Sequence, residues 1–186
     1  MKKCGKGKAL LLGSKAVVFD LEFASCLFKE GFFGKPVGVK KPKSLEVREP
    51  LELSLYEALY LLEKGILDEV IGGEGKGYGF EELIKSAGRQ IPLFRDLYYT
   101  YRDLRDAGFI VRAAMKYGVD FAVYRKRPGL EHAPYLVKVL RYDDSVDPGD
   151  LIGWGRVSHS VRKDLLLSIS YPSGERIYIT FKWFRP

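Results

Sequence analysis

Apolar and polar positions alternate differently in the two halves of the chain. Two short apolar runs, Leu10-Leu-Leu and Ala16-Val-Val-Phe19, flank a Gly-Ser-Lys turn and predict a β-hairpin. Asp20 then stands as an N-cap before a helix through Glu22, Phe23, Cys26, Leu27 and Glu30, which stops at Gly31. A Gly/Pro-interrupted basic stretch follows. Beyond Leu51-Glu-Leu-Ser54, the capping box Ser54-x-x-Glu57 opens a helix with its apolar stripe on Leu55, Ala58, Leu59 and Leu62, ended by Gly65. A glycine-rich segment, Ile71 to Gly79, divides the chain near its middle, and a short helix over Phe80–Ala87 follows it. Pro92 suits the first turn of the next helix, whose face reads Leu93, Leu97, Tyr101 and Leu104, with Gly108 as its end.

After Gly108 the period changes to two. Phe109–Val111, Asp120–Arg125, Tyr135–Tyr142, Leu165–Tyr171 and Arg176–Trp183 predict five strands, with Pro172-Ser-Gly174 as the last turn. A short helix is expected over Val157–Asp164. The fold class is therefore α/β (α+β), in two modules: 1–90, carrying the basic loop 35–48, and 91–186.

Charge sharpens the picture. The 186 residues hold 31 Lys+Arg against 24 Asp+Glu, a net +7, which favours a polyanionic partner. No apolar run is long enough for a membrane span, and the N-terminus lacks a secretory signal, so a soluble, cytoplasmic protein with no membrane partner is expected. The chain has no Asn and one Gln, a depletion of thermolabile residues that fits a hyperthermophile. Cys4 and Cys26 form no CxxC, and two Cys with two His make no convincing zinc site. Free thiols are expected, since intracellular chains seldom carry disulfides. The glycine-rich segment is not a P-loop, because Gly77 stands where Ser or Thr should follow Lys76.

A metal-free cut in RNA needs a base for the 2′-OH, an acid for the leaving 5′-oxygen and a cation for the phosphorane. Histidine suits the acid, with a reference pKa of about 6.5; lysine or arginine suits the cation. His132 follows a Pro-Gly loop eight residues after Tyr124, at the end of a strand, with Arg125, Lys126 and Arg127 between. A hairpin-like connection brings Tyr124 and His132 to one end of the sheet. His159 stands four residues before Lys163, on one face of the expected short helix, with Arg156 a turn back. Spacing alone does not choose between the histidines.

The ordered segments YRDLRDAGFIVRAAMKYGVDFAVY, EHAPYLVKV and GRVSHSVRKDLLLSI resemble the carboxy-terminal catalytic domain of archaeal tRNA-intron splicing endonucleases. The resemblance runs from Leu93 to the end; the first half agrees in length and element order. It implies a restriction-endonuclease-like α/β catalytic domain with Tyr124 as general base, His132 as general acid and Lys163 stabilising the pentacoordinate charge. His159 then has a supporting role. The implied reaction is transesterification by the 2′-OH at bulge-helix-bulge sites of precursor tRNA, with no cofactor and no metal. It leaves a 2′,3′-cyclic phosphate and a 5′-OH. Basic neighbours are expected to favour the Tyr124 phenolate. The resemblance further places Arg156 and Trp183 on a flipped-out bulge base. The acidic loop with Asp143, Asp144, Asp147 and Asp150 would enter a neighbouring subunit. The basic loop, with Lys35, Lys40, Lys41, Lys43 and Arg48, looks like the longer loop of crenarchaeal catalytic subunits and would contact RNA. A tetramer is implied, with two catalytic and two structural chains. Two other readings are a non-catalytic RNA-binding or assembly subunit, and a metal-dependent nuclease built on Glu74-Gly-Lys76.

Overall fold

The computed structural model describes residues 4–40, 42 and 44–182. It divides into two compact units, residues 1–95 and 96–186, each an open sheet with helices, as the α/β patterning implies.

In the first unit, β1 (Gly7–Leu12) and β2 (Lys15–Val18) form the predicted hairpin, paired Leu12 to Lys15. The Asp20 carboxylate caps α1 (Leu21–Gly31) by accepting the Phe23 N–H at 3.0 Å. The left-handed C-cap is Phe32 (φ 54°), one residue past the expected glycine stop. Within the basic stretch lies a short strand, β3 (Lys35–Pro36), paired with β4 (Leu51–Ser54). The far end of that stretch is tethered: Val47 is buried and donates its N–H to Ser25 Oγ at 3.2 Å, and Lys29 pairs with Glu46 at 3.3 Å.

Helix α2 (Leu55–Glu63) carries the predicted capping box, and that box does more than cap. Glu57 is buried; one carboxylate oxygen accepts the Ser54 N–H and hydroxyl (2.8 and 2.7 Å), the other the Gly34 N–H at 2.8 Å. A buried carboxylate needs such donors. Gly34 is obligatory there, because its φ is +64° and a Cβ would lie 2.7 Å from the Glu52 carbonyl oxygen. Strand β5 (Leu67–Ile71) runs parallel to β1, and β6 (Gly77–Tyr78) closes the order β3-β4-β2-β1-β5-β6. The sequence pattern misses β5, because Asp68 and Glu69 interrupt its apolar run. Helix α3 (Phe80–Gln90) completes the unit.

Cys4 and Cys26 form a disulfide, contrary to the expected free thiols. The segment before β1 passes α1 with the two Cα atoms 5.5 Å apart, a spacing a disulfide spans. Proteins of hyperthermophiles are the known exception to the intracellular rule. Closing a loop of separation 22 stabilises by about 3 kcal/mol in the chain-entropy account. Denaturant unfolding of the oxidised protein should therefore exceed that of Cys26→Ser by about this amount. Equal stabilities would show that the crosslink does not constrain the unfolded chain.

Helix α4 (Phe94–Asp106) begins at the end of the first unit, with Phe94 buried, and in the second unit buries Tyr98, Tyr101 and Leu104. The expected stripe on Leu93 and Leu97 is displaced by one residue. Leu93 is left-handed (φ 58°) outside the helix, so Pro92 precedes the helix rather than opening it. The sheet order is β11-β10-β9-β8-β7, from β7 (Ile110–Ala113), β8 (Phe121–Tyr124), β9 (Tyr135–Arg141), β10 (Asp164–Ser170) and β11 (Arg176–Phe181). All neighbours are antiparallel except β9 and β10, which run parallel. Phe121 packs towards Tyr101 of α4, and Ser168 hydrogen-bonds Thr100 at 2.7 Å. The alternate residues Ala122, Leu136, Leu165 and Leu167 form the opposite core layer, covered by Leu151, Trp154 and Val157 of α5 (Pro148–Ser160). Asp103 of α4 holds β11 through a two-pronged pair with Arg176 (2.6 and 3.1 Å) and the Tyr178 hydroxyl (3.2 Å).

Helix α5 corrects the expectation of a short helix over 157–164. It begins in the acidic segment, where the Asp147 side chain accepts the Gly149 N–H at 2.7 Å and Pro148 opens the first turn. It ends before Lys163, so Lys163 does not share a helical face with His159.

Candidate active site

Parallel pairing of β9 and β10 sets their first residues side by side, Tyr135 against Asp164. Lys163, one residue before β10, and Ala133, two before β9, therefore meet although 30 positions apart, and Lys163 Nζ donates to the Ala133 carbonyl at 2.9 Å. Strand β8 is antiparallel to β9, so its last residue, Tyr124, ends at the same edge. The connection from β8 to β9 folds back on itself. Glu131 Oε1 accepts the Lys126 N–H, the Leu130 N–H bonds the Arg127 carbonyl at 3.0 Å, and Gly129 takes φ +99° at the tip. His132 is thereby returned to the Tyr124 end of the sheet.

The result is a pocket of about 410 Å³. Ala122 and Tyr124 of β8 line it, as do Ala113 of β7, Lys116 and Tyr117 of the β7–β8 connection, residues 128–133, and Lys163. Tyr124, His132 and Lys163, drawn from three separate segments, share one cavity. His132 is exposed, whereas Tyr124 and Lys163 are half-buried. Such a set offers a phenol, an imidazole and an ammonium to one bound group.

The Tyr124 phenol is pushed above its ordinary value, first by burial and then by Tyr117; Arg112 and Lys116 pull the other way and do not prevail. The expectation that basic neighbours favour the phenolate is thus corrected: desolvation outweighs them. The predicted cations are also elsewhere. Arg125 donates to the Tyr135 hydroxyl at 2.8 Å and lies over that ring, and none of Arg125, Lys126 and Arg127 lines the pocket.

The remaining candidates are dispersed. Arg156 is exposed on α5, and His159 lies in that helix's last turn, outside the pocket lining. Lys40 is exposed; Lys41, Lys43 and Trp183 lie outside the described residues. Asp144 is engaged within its own segment: the Arg141 N–H and guanidinium bond it and hold its carboxyl below the usual range. Asp143 lies 3.8 Å from the same guanidinium, and Asp147 caps α5. Glu74 and Lys76 belong to the glycine-rich turn of the first unit, where Lys76 stacks on Tyr78. Among the described residues, no three His, Cys, Asp or Glu side chains form a group that could hold a metal ion. Sequence reasoning missed Lys116, Tyr117 and Glu131 as pocket residues. Lys116 and Tyr117 stand in the Lys-Tyr-Gly turn before β8, on the far side of that strand from the histidine in the sequence, a signal that assigns no role without the fold.

Comparison with known proteins agrees with this architecture. Residues 94–179 match the tRNA intron endonuclease catalytic C-terminal domain, and residues 7–84 match the tRNA intron endonuclease N-terminal domain. The tRNA-splicing endonuclease of Hyperthermus butylicus is 51% identical over 180 residues, covering 96% of this chain and 99% of that protein. Those of Saccharolobus solfataricus (45%; 96% and 98% covered) and Sulfurisphaera tokodaii (46%; 94% and 97% covered) are similar along the same span. No helix among the described residues is long and apolar enough to cross a membrane. The chain belongs to the tRNA intron endonuclease family, as a tRNA-splicing endonuclease.

Proposed function

We propose that this chain cuts precursor tRNA at bulge-helix-bulge sites by transesterification in the pocket that holds Tyr124, His132 and Lys163. That grouping is the observation that carries the reading. The phenolate form of Tyr124 takes the proton of the 2′-OH as its oxygen attacks phosphorus. The bond from phosphorus to the 5′-oxygen breaks, and His132 delivers a proton to that oxygen. The products are a 2′,3′-cyclic phosphate and a 5′-OH. Lys163, held by the Ala133 carbonyl, faces the charge that develops on the phosphorane oxygens. The reaction so written needs no metal.

Substrate and assembly follow the same reading. Trp183 and the exposed Arg156 stack on a bulge base, and Lys40, Lys41 and Lys43 contact the RNA backbone. Asp143, Asp144 and Asp147 belong to the segment that meets a neighbouring subunit, in a tetramer of two catalytic and two structural chains. The edge strand β11, with Ile177, Ile179 and Phe181 exposed, supports assembly, since an apolar edge invites pairing.

The test is cleavage of a bulge-helix-bulge precursor tRNA in EDTA, by the chain alone and with a second subunit, followed by analysis of the ends. The expected fragments carry a 5′-OH that a kinase labels directly and a 3′ end that phosphatase leaves intact until acid opens the cyclic phosphate. Cleavage that requires added Mg²⁺, or leaves 5′-phosphate ends, overturns the reading.

A further inference from the structure

Lys116 lies on the wall of the pocket formed by the β7–β8 connection, while the His132 loop supplies residues 128–133 of the lining. Its side chain is exposed, yet its position is defined. The ammonium lies 4.8 Å from the centre of the Tyr117 ring, and Tyr117 packs against the core layer beneath α5. A left-handed Gly118 (φ 70°) and the hydrogen bond from the Tyr117 N–H to the Ala114 carbonyl (2.8 Å) fix the tight turn that carries both residues. A lysine whose ammonium sits over an anchored ring loses less conformational freedom on binding than a free one.

The charge around it is uncompensated. Among the described residues no carboxylate pairs with Lys116 or Lys163. The carboxylate in the pocket lining is Glu131, and one of its oxygens is engaged by the Lys126 N–H. Two ammonium groups therefore share a cavity with a single carboxylate. The mechanism above employs one of them, Lys163, at the scissile phosphate.

We propose that Lys116 is a substrate-binding residue of this pocket, its ammonium holding a backbone phosphate adjacent to the scissile one. The inference rests on the reading of the pocket as the cleavage site. An RNA strand carries regularly spaced phosphates, so a strand with one phosphate at Lys163 presents another near the pocket mouth. Lys116 acts there as a point charge with rotatable donors, which serves position and affinity without reading sequence. Because the contact persists from bound substrate to transition state, its removal raises KM and leaves kcat nearly unchanged.

The experiment uses the full chain with any subunit that cleavage requires. Its probe is a precursor tRNA with 2′-deoxy residues at both cut positions, which binds without being cut. Binding is measured over a range of KCl, beside cleavage kinetics on the unmodified RNA. Lys116→Ala is expected to weaken binding about tenfold and to flatten the log–log salt dependence by about 0.7–0.9, the loss of one phosphate contact. The kcat should stay within about threefold, and Lys116→Arg should restore both affinity and slope. Unchanged affinity and slope in Lys116→Ala overturn the proposal, as does a loss confined to kcat. Failure of the underlying reading is distinguishable: Tyr124→Phe, His132→Ala and Lys163→Ala would then cut at the wild-type rate.

Discussion

Replacing His132 by alanine is expected to lower the single-turnover cleavage rate by about 10²–10⁴, the usual contribution of a positioned acid. RNA binding and melting temperature should change little, because the side chain is exposed and no core contact depends on it. The deficit should depend on the leaving group. A substrate with sulfur in place of the 5′-bridging oxygen at the cut departs as a thiolate and needs no proton. His132→Ala should cut that substrate at close to the wild-type rate. Wild-type activity of the variant on ordinary RNA would remove His132 from the chemistry. A defect of equal size on both substrates would remove it from the role of acid.

Tyr124→Phe is expected to cost a similar factor, and the pH profile supplies the sharper test. A base works only when deprotonated, and burial holds this phenol above the ordinary tyrosine value of 10.0. Its phenolate is therefore a minor species throughout the neutral range, and its population rises tenfold per pH unit until pH exceeds that raised value. On ordinary RNA that rise is cancelled by loss of the protonated acid, so the test uses the 5′-bridging sulfur substrate, which needs none. After subtraction of uncatalysed hydrolysis, its log kcat/KM with the wild type should climb with slope one from neutral pH to at least pH 10. Tyr124→Phe should lose that limb. A plateau below pH 9, or the same slope in the phenylalanine variant, would show that another group takes the proton.

How much of this was legible in advance varied with the range of the interactions involved. The hairpin around Gly13, the Asp20 cap and the Ser54/Glu57 capping box are local, set by residues within four positions of one another, and the structure shows all three. Five strands after Gly108 follow from period-two alternation and stand within a few residues of their expected bounds. Errors arose where a local signal had a competitor. Strand β5 carries two acids in its middle and is stabilised by parallel pairing with β1, sixty residues away. Helix α5 starts in a segment whose aspartates read as an acidic loop, although Asp147 and Pro148 are also a helix-opening pair. The single-residue displacement of the α4 stripe came from Leu93, which left-handed backbone excludes from the helix.

The site divides along the same line. Residue types limited the chemistry: two histidines left a short list, and motif order singled out Tyr124, His132 and Lys163. Sequence by itself determined the locally encoded secondary elements, the family and those candidates, because each depends on residue identity and short-range order. Only the tertiary structure decided that the three share a cavity, since that requires β9 and β10 to run parallel and bring position 133 to position 163. It also replaced Arg125–Arg127 by Lys116 as the further charge of the pocket, and made Tyr124 a reluctant acid rather than a ready phenolate. Both outcomes depend on burial and on distances through space, which the linear order of the residues does not contain.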